Sequence, residues 1–212
     1  MDSIRGKVAI VGAADTEVGK VPHLGATALC VDAAWRAIDN AGISKDQIDG
    51  LVTCNSMTEP YMYHAEAIAE YLQIFPRYCI SANAGGGTTF SSIQHAATAV
   101  ASGVCDTVLV CLADSLRSGL SREQSKKMQS STGHPEFESP YGATVPAFYA
   151  LIARAHMDGY GRSPDQFAAV AGRGRELASR KPAAQMRDLI TVEDVWQCRR
   201  IADPLHLLDC SL

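Results

Sequence analysis

The sequence lacks the short motifs by which several common enzyme classes are identified. Its seven cysteines form no CxxC pair, its six histidines form no HExxH motif and no two of them lie four residues apart, and no GxSxG elbow occurs. A metal site therefore has little support, and the simplest serine-hydrolase interpretation is removed. We expect the cysteines to be reduced and largely buried, because free cysteine packs as a small apolar side chain.

Charge of one sign and long apolar runs are also scarce. The chain has 19 Lys and Arg against 23 Asp and Glu, a formal net charge of −4, and its basic residues are scattered. This pattern predicts no binding to nucleic acid or to an anionic membrane. No apolar run approaches a membrane span, and no signal region precedes the apolar segment 8–11, so we expect a cytoplasmic protein without a membrane span.

What the first half does contain is a regular alternation of short apolar runs and segments of helical period. Strands alternating with helices predict an α/β fold with a mostly parallel central sheet covered on both sides. Ser44 and Gln47 resemble a capping box, and Gly42 is a helix stop. The predicted strands are 8–11, 50–54, 78–81 and 107–112, and the predicted helices are 24–38, 61–72 and 88–101.

The pattern changes after Asp114. Residues 115–140 are polar and rich in Ser and Gly, which indicates a loop excursion rather than another βα unit. Helices are predicted at 145–160 and from Ser163, where Ser163 caps, Pro follows and Gln166 closes a capping box. Thr191 is predicted to cap a further short turn. The predicted parts are a first α/β core at 1–114, an excursion and helix at 115–162, and a helix with a lead-in segment at 163–212.

Two glycine-containing segments follow predicted strands. The segment 12–20, GAADTEVGK, lacks the spacing and the final hydroxyl of a phosphate loop, so we interpret it as a plain βα turn. The segment 81–90, SANAGGGTTF, places three consecutive glycines between a strand and a helix. Three glycines together indicate a close approach to the main chain, and phosphates, acyl groups and partner backbones are the candidates.

Several segments, in this order, resemble the thiolase superfamily and in particular its thiolase-like lipid-transfer proteins. They include VAIVGAADTEVGK, IDGLVTCN, the glycine segment followed by DTVLVCLADSL, and SPYGATVPAFYALIARAHMDGYG. The resemblance runs along nearly the whole chain. It implies a layered α/β/α/β/α fold built from two similar halves. This chain is expected to cover the first half, the loop excursion and the lead-in to a second half that it lacks.

The resemblance also locates a missing nucleophile. Family members carry a cysteine at the start of the central helix, where the helix dipole favours the thiolate. In the family that cysteine precedes the closing glycine of the helix by seventeen positions, and seventeen before Gly103 is Gly86. Helix capping is the preferred role for the nearby Thr88, and Cys54 and Cys79 lie in strand patterns where thiols are inert. No catalytic residue is assigned, and the GHP triplet at His134 is interpreted as coincidental because it lies in the excursion.

Two functions remain open. The first is an enzyme that cleaves or forms a carbon–carbon bond next to a CoA thioester by retro-aldol or Claisen-type chemistry, without a cysteine acyl-enzyme. The second is a non-catalytic acyl-CoA-binding, lipid-binding or scaffold subunit that pairs with an active thiolase-like chain. The expected substrate-binding residues are Asn83, Gly85, Gly86, Gly87, Thr88, Arg117 and Arg122.

The resemblance further implies the partners. CoA is expected only as part of the acyl-CoA substrate, with no covalently bound cofactor and no metal. A homodimer formed through the first half is expected, in which the glycines 85–87 could serve subunit packing instead of ligand approach. Thiolase-like aldolases of steroid side-chain CoA esters also work with a small partner that carries an OB-fold and a zinc-binding module, so such a partner is a further expectation.

Overall fold

The computed structural model describes residues 3–142 and 144–211. The chain divides into two compact units, Met1–Leu120 and Ser121–Leu212. The predicted division at residues 114 and 162 stays a prediction.

The first unit is built on a three-stranded parallel sheet. Its strands lie in the order β2-β1-β3, and β1 pairs with both neighbours, so that Leu51 lies opposite Cys79 on one side and Leu109 on the other. The predicted α/β class and the parallel sheet are confirmed. The elements are α1 (Ala26–Ala41), β1 (Gly50–Thr53), α2 (His64–Leu72), β2 (Tyr78–Ser81), α3 (Thr88–Ala101), β3 (Val108–Val110) and α4 (Leu116–Gly119).

The core of this unit lies between the sheet and helices α1 and α2. Leu51, Ile68 and Leu72 are fully buried there. Each such side chain contributes about 1.5–3 kcal/mol of apolar burial. Helix α3 contacts β1 and β3, and Val52 is also fully buried although it points away from the cluster that contains Leu51. The sheet is therefore covered on both faces at its central strand.

The predicted strand at 8–11 is wrong. The chain there has no strand pairing within the described residues, and the Ile10 side chain is 77% exposed. A strand needs a neighbouring edge to satisfy its backbone groups, and β3 pairs only with β1 among the residues described. The segment is held from its end instead: the Ala13 N–H donates to Asn40 Oδ1 at 3.0 Å.

Among its described residues, the second unit contains four α-helices and a short antiparallel hairpin. The hairpin joins β4 and β5, with Arg200 opposite His206. The elements are α5 (Arg122–Ser130), α6 (Val145–Tyr160), α7 (Pro164–Ser179), α8 (Val192–Gln197), β4 (Arg200–Ala202) and β5 (Leu205–His206).

Helix starts in the second unit test the capping predictions. The Thr191 hydroxyl accepts the Asp194 N–H at 3.1 Å, so the cap predicted there is confirmed. The box predicted at Ser163 is wrong, because the Gln166 N–H donates to the Ser163 carbonyl oxygen and the Ser163 side chain caps nothing. A capping box that was not predicted from the sequence opens α5, where Ser121 Oγ accepts the Gln124 N–H at 3.2 Å.

All seven cysteines lie in the described part of the chain and all are free thiols. Three of them, Cys30, Cys105 and Cys111, are buried, and the other four are partly buried. None of the helices described combines the length and the apolarity that crossing a bilayer requires.

Candidate functional site

The candidate site is the glycine loop that leads from β2 into α3. Gly85 has a φ of +55°, a left-handed conformation that side chains rarely adopt, so glycine is required there. Thr88 stabilises the loop from inside the first helical turn: its hydroxyl accepts the Ala84 N–H at 2.9 Å and donates to the Gly85 carbonyl oxygen at 2.7 Å. Thr88 is buried, and its hydroxyl bonds to the loop instead of capping α3, whose N-cap is Gly87.

The backbone conformation does not explain why residue 86 is a glycine. Its φ is not in the left-handed region, and a Cβ built on it meets no atom within 4 Å. A side chain would therefore fit. Gly87 is more restricted, because a Cβ there would lie 3.4 Å from the Ala84 carbonyl oxygen. The structure leaves open space at Gly86, the position where the resemblance implies a nucleophile in other family members.

The amino end of α3 carries backbone donors that are not used by the helix. The Thr89 and Phe90 N–H groups have no acceptor in the described part of the chain, whereas the Ser91 N–H donates to the Gly87 carbonyl oxygen at 3.0 Å. Both donors lie within the first turn, where the helix dipole favours negative charge. This geometry can stabilise an anion or the oxyanion of a thioester.

The neighbouring strand ends are joined to this loop region by polar contacts. Ser81, the last residue of β2, donates from its hydroxyl to Asn55 Oδ1 at 2.6 Å. Asn55 follows β1 by two residues. The carboxyl ends of parallel strands meet at one edge of a sheet, which is where open α/β sheets bind ligands.

Asp114 organises the other side of the same edge, after β3. Its carboxylate accepts hydrogen bonds from Ser56 Oγ at 3.1 Å and from Thr58 Oγ1 at 2.6 Å. It also accepts the N–H groups of Met57 at 2.7 Å and Ser115 at 2.8 Å. Four donors to one carboxylate fix the loop after β1 against the loop after β3.

His64, the first residue of α2, is buried near this network. Only 3% of its surface is exposed, and its Nδ1 has no hydrogen-bond partner among the described residues. Burial lowers the pKa of the His64 imidazole, and the charge of Asp114 opposes that shift without reversing it. Burial therefore favours the neutral form of the imidazole.

The comparisons with known proteins give one consistent result, although no family model matches the chain. The chain is 36% identical over 98% of its length to a 17-hydroxy-3-oxo-4-pregnene-20-carboxyl-CoA lyase of Mycobacterium tuberculosis. It is 33% identical over 99% of its length to a steroid side-chain-cleaving aldolase of Thermomonospora curvata. It spans 55% of each of these relatives, so it corresponds to about half of their length.

A solved structure agrees with the sequence relatives. The Ltp2-ChsH2(DUF35) aldolase superposes with a TM-score of 0.81 at 31% identity, covering 96% of this chain and 52% of the other. An SCP2-thiolase-like protein of Mycobacterium smegmatis superposes with a TM-score of 0.69 at 17% identity, covering 93% of this chain and 41% of the other, so the chain has a thiolase-like fold. The fold class implied by the resemblance is confirmed, and the chain corresponds to one part of the longer relatives.

The thiolase-like chain brings part of the predicted site together. Asn83 is exposed and its Oδ1 accepts the Gly85 N–H at 3.3 Å, so it belongs to the same loop as the glycines and Thr88. Arg117 is exposed on α4 and makes no hydrogen bond to the residues described. Arg122 is exposed on α5 in the second unit. A role for either arginine at the loop stays a prediction.

The structure disfavours the alternative thiols as nucleophiles and places the GHP triplet outside the glycine loop. Burial raises the pKa of the Cys54 and Cys79 thiols, which disfavours the reactive thiolate. His134 lies in a turn of the second unit, where its Nδ1 accepts the Glu136 N–H at 3.2 Å.

His64 and Asp114 were missed as candidates by the sequence analysis. Their importance depends on contacts across 50 or more residues, such as those from Asp114 to Ser56 and Thr58. The only available signal was the position of each residue just after a predicted strand or at the start of a predicted helix.

Proposed function

We propose that the protein to which this chain belongs cleaves or forms a carbon–carbon bond beside a CoA thioester, without a cysteine acyl-enzyme. The observation that carries the proposal is Gly86, an open position without a side chain at the amino end of α3. The similarity to a lyase and to an aldolase over nearly the whole chain supports carbon–carbon cleavage as the reaction type. Lipid or steroid metabolism is the corresponding setting.

The proposed chemistry is a retro-aldol reaction on a β-hydroxyacyl-CoA. A base removes the proton of the β-hydroxyl group, the Cα–Cβ bond breaks, and a ketone leaves. The electron pair of that bond passes into the thioester as an enolate, which is protonated at Cα to give the shortened acyl-CoA. No covalent bond to the protein is formed in this sequence. The base and the proton donor are not assigned to residues of this chain.

The role proposed for this chain is to stabilise the enolate oxygen. The Thr89 and Phe90 N–H groups, which have no acceptor among the described residues, supply two donors at the amino end of α3. Preorganised donors of this kind lower the barrier most where negative charge develops. The loop of Asn83 and the three glycines lets the thioester approach the main chain closely. Gly85 holds that loop in a conformation that only glycine adopts readily.

The CoA moiety is proposed to bind as part of the substrate and not as a resident cofactor. Arg117 and Arg122 are exposed cations that could pair with its phosphates, because guanidinium groups bind phosphate by two parallel hydrogen bonds. We also propose a homodimer and a second subunit with an OB-fold and zinc-binding module. The two-component name of the Ltp2-ChsH2(DUF35) aldolase supports a partner subunit.

Turnover tests the proposal. The whole protein, with its partner subunit, is incubated with a β-hydroxyacyl-CoA that bears a steroid-like side chain. Appearance of a ketone and a shortened acyl-CoA in equal amounts is the expected result. Saturable binding of the acyl-CoA without turnover would instead support the scaffold or lipid-binding function.

A further inference from the structure

A groove on the surface of the first unit, away from the glycine loop, is lined by aromatic and acidic residues that have no role in the proposed function. It encloses about 640 Å³ between the start of α1 and the residues around α2. Pockets of this size bind small-molecule ligands. Its lining includes three aromatic rings and two carboxylates, from Trp35, Tyr61, Tyr71, Asp32 and Glu59.

The two carboxylates differ in whether a nearby cation neutralises their negative charge. Asp32 pairs with Arg36 at 2.8 Å, so its charge is largely satisfied on the helix surface. Glu59 has no cationic partner among the residues described, and its Oε2 accepts only the Thr27 N–H at 2.8 Å. The contact places Glu59 at the amino end of α1. Its negative charge is therefore fixed in the groove and not paired with a cation.

Packing holds the Glu59 carboxylate in that position. A Cβ built on Gly25 would lie 1.8 Å from Glu59 Oε1, so the carboxylate occupies the space that any other residue at this position would need. Thr27 also lines the groove, and its buried hydroxyl has no hydrogen-bond partner in the described part of the chain. A fixed carboxylate without a cationic partner among the described residues favours a ligand that supplies a cationic group.

We infer that this groove binds an alkylammonium cation, held by the Glu59 carboxylate and by the Trp35, Tyr61 and Tyr71 rings. Aromatic rings attract cations electrostatically, and methylated ammonium groups are the ligands that combine a charge with apolar surface. The cation can be a free small molecule or a methylated lysine of a peptide.

Choline and its neutral isostere 3,3-dimethylbutan-1-ol test the charge requirement, because the two have nearly the same shape. The chain contains two tryptophans, Trp35 and Trp196. In a ¹H–¹⁵N spectrum the indole N–H signal of Trp35 reports on the groove, and that of Trp196 on α8 serves as an internal reference. We expect choline to shift the Trp35 signal saturably and to leave the Trp196 signal in place. The isostere should bind about tenfold more weakly, since a cation–π contribution of about 1.4 kcal/mol corresponds to that ratio of affinities.

Two variants examine the role of Glu59. Glu59→Gln keeps an oxygen acceptor for the Thr27 N–H and removes the charge, so the fold is retained and choline affinity should fall about fivefold. Gly25→Ala displaces the carboxylate and should give a loss of similar size. The matched control is Glu66→Gln on α2, which lies outside the groove lining and should leave the affinity unchanged.

The source of the cation is distinguished by a peptide that contains trimethyl-lysine. Tighter binding of this peptide than of choline identifies a methylated protein as the source, and weaker binding identifies a small molecule; both agree with an alkylammonium site. The inference is overturned if choline produces no saturable shift of the Trp35 signal, if the neutral isostere binds as tightly as choline, or if Glu59→Gln has no effect.

Discussion

The hydroxyl of Thr88 donates a hydrogen bond of 2.7 Å to the carbonyl oxygen of Gly85, across the turn that joins β2 to α3. The same hydroxyl accepts the Ala84 N–H at 2.9 Å. One buried side chain thus closes the glycine loop at both ends. The loop keeps its shape without a large side chain, and Gly86 between these contacts remains open.

Removing this hydroxyl should loosen the loop. Thr88→Val leaves the Ala84 N–H without its acceptor, and we expect the free energy of unfolding to fall by about 1–2 kcal/mol. Thr88→Ser should retain most of the stability. Urea denaturation followed by circular dichroism measures the difference. Thr89→Val is the matched control, because Thr89 is exposed and its side chain makes no hydrogen bond in the described part of the chain; an equal loss there would contradict the role given to Thr88.

The two adjacent glycines should respond differently to alanine. Gly85→Ala forces a side chain into a left-handed conformation, so we expect a loss of about 1–2 kcal/mol in the free energy of unfolding. Gly86→Ala adds a methyl group to open space, and we expect a change within about 0.5 kcal/mol. Thermal or urea unfolding of the two variants compares them directly. Similar losses in both would show that Gly86 is also required by the backbone.

His64 predicts a pH dependence of stability. Burial lowers the pKa of His64 in the folded state, whereas the imidazole of the unfolded chain keeps a pKa of about 6.5. Below about pH 6.5 the unfolded state therefore binds a proton more readily than the folded state. The free energy of unfolding should therefore fall as the pH drops from about 6.5 towards the lower pKa of the folded state, by at most about 1.4 kcal/mol per pH unit, and this contribution should level off below it. His64→Gln should lack this contribution.

Urea unfolding at several pH values between about 7.5 and 5 follows the contribution of His64. The informative quantity is the difference between the wild type and His64→Gln at each pH, because the carboxylates of the chain titrate equally in both. An unchanged difference across this range would show that His64 has an ordinary pKa in the folded protein.

Much of the first unit could be predicted because its signals are local. The helix predicted at 88–101 coincides with α3, the strand predicted at 78–81 coincides with β2, and Gly42 ends α1 in a left-handed conformation. The strand prediction for residues 8–11 was wrong for the opposite reason. The apolar character of this segment is typical of a strand, but strand formation depends on a neighbouring edge that a local pattern does not reveal.

The candidate site likewise has one part that the sequence predicts and one part that it does not. Asn83, the glycines and Thr88 are consecutive in the sequence, so their proximity follows from one turn. The contacts of Asp114 with Ser56 and Thr58, and the burial of His64 beside them, join segments far apart in the chain. The α5 helix was missed although Ser121 and Gln124 have the spacing of a capping box, because its residues are polar and lack an apolar face.

The central claim, a thiolase-like site without an acyl-enzyme, is tested most directly by intact-protein mass spectrometry after incubation with acyl-CoA. We expect no increase in mass for the wild type, because Gly86 has no side chain and burial raises the pKa of the Cys54 and Cys79 thiols. Gly86→Cys, which places a thiol in the open space at the amino end of α3, should gain one acyl group. A stable acyl adduct on any native cysteine of the wild type would contradict the account.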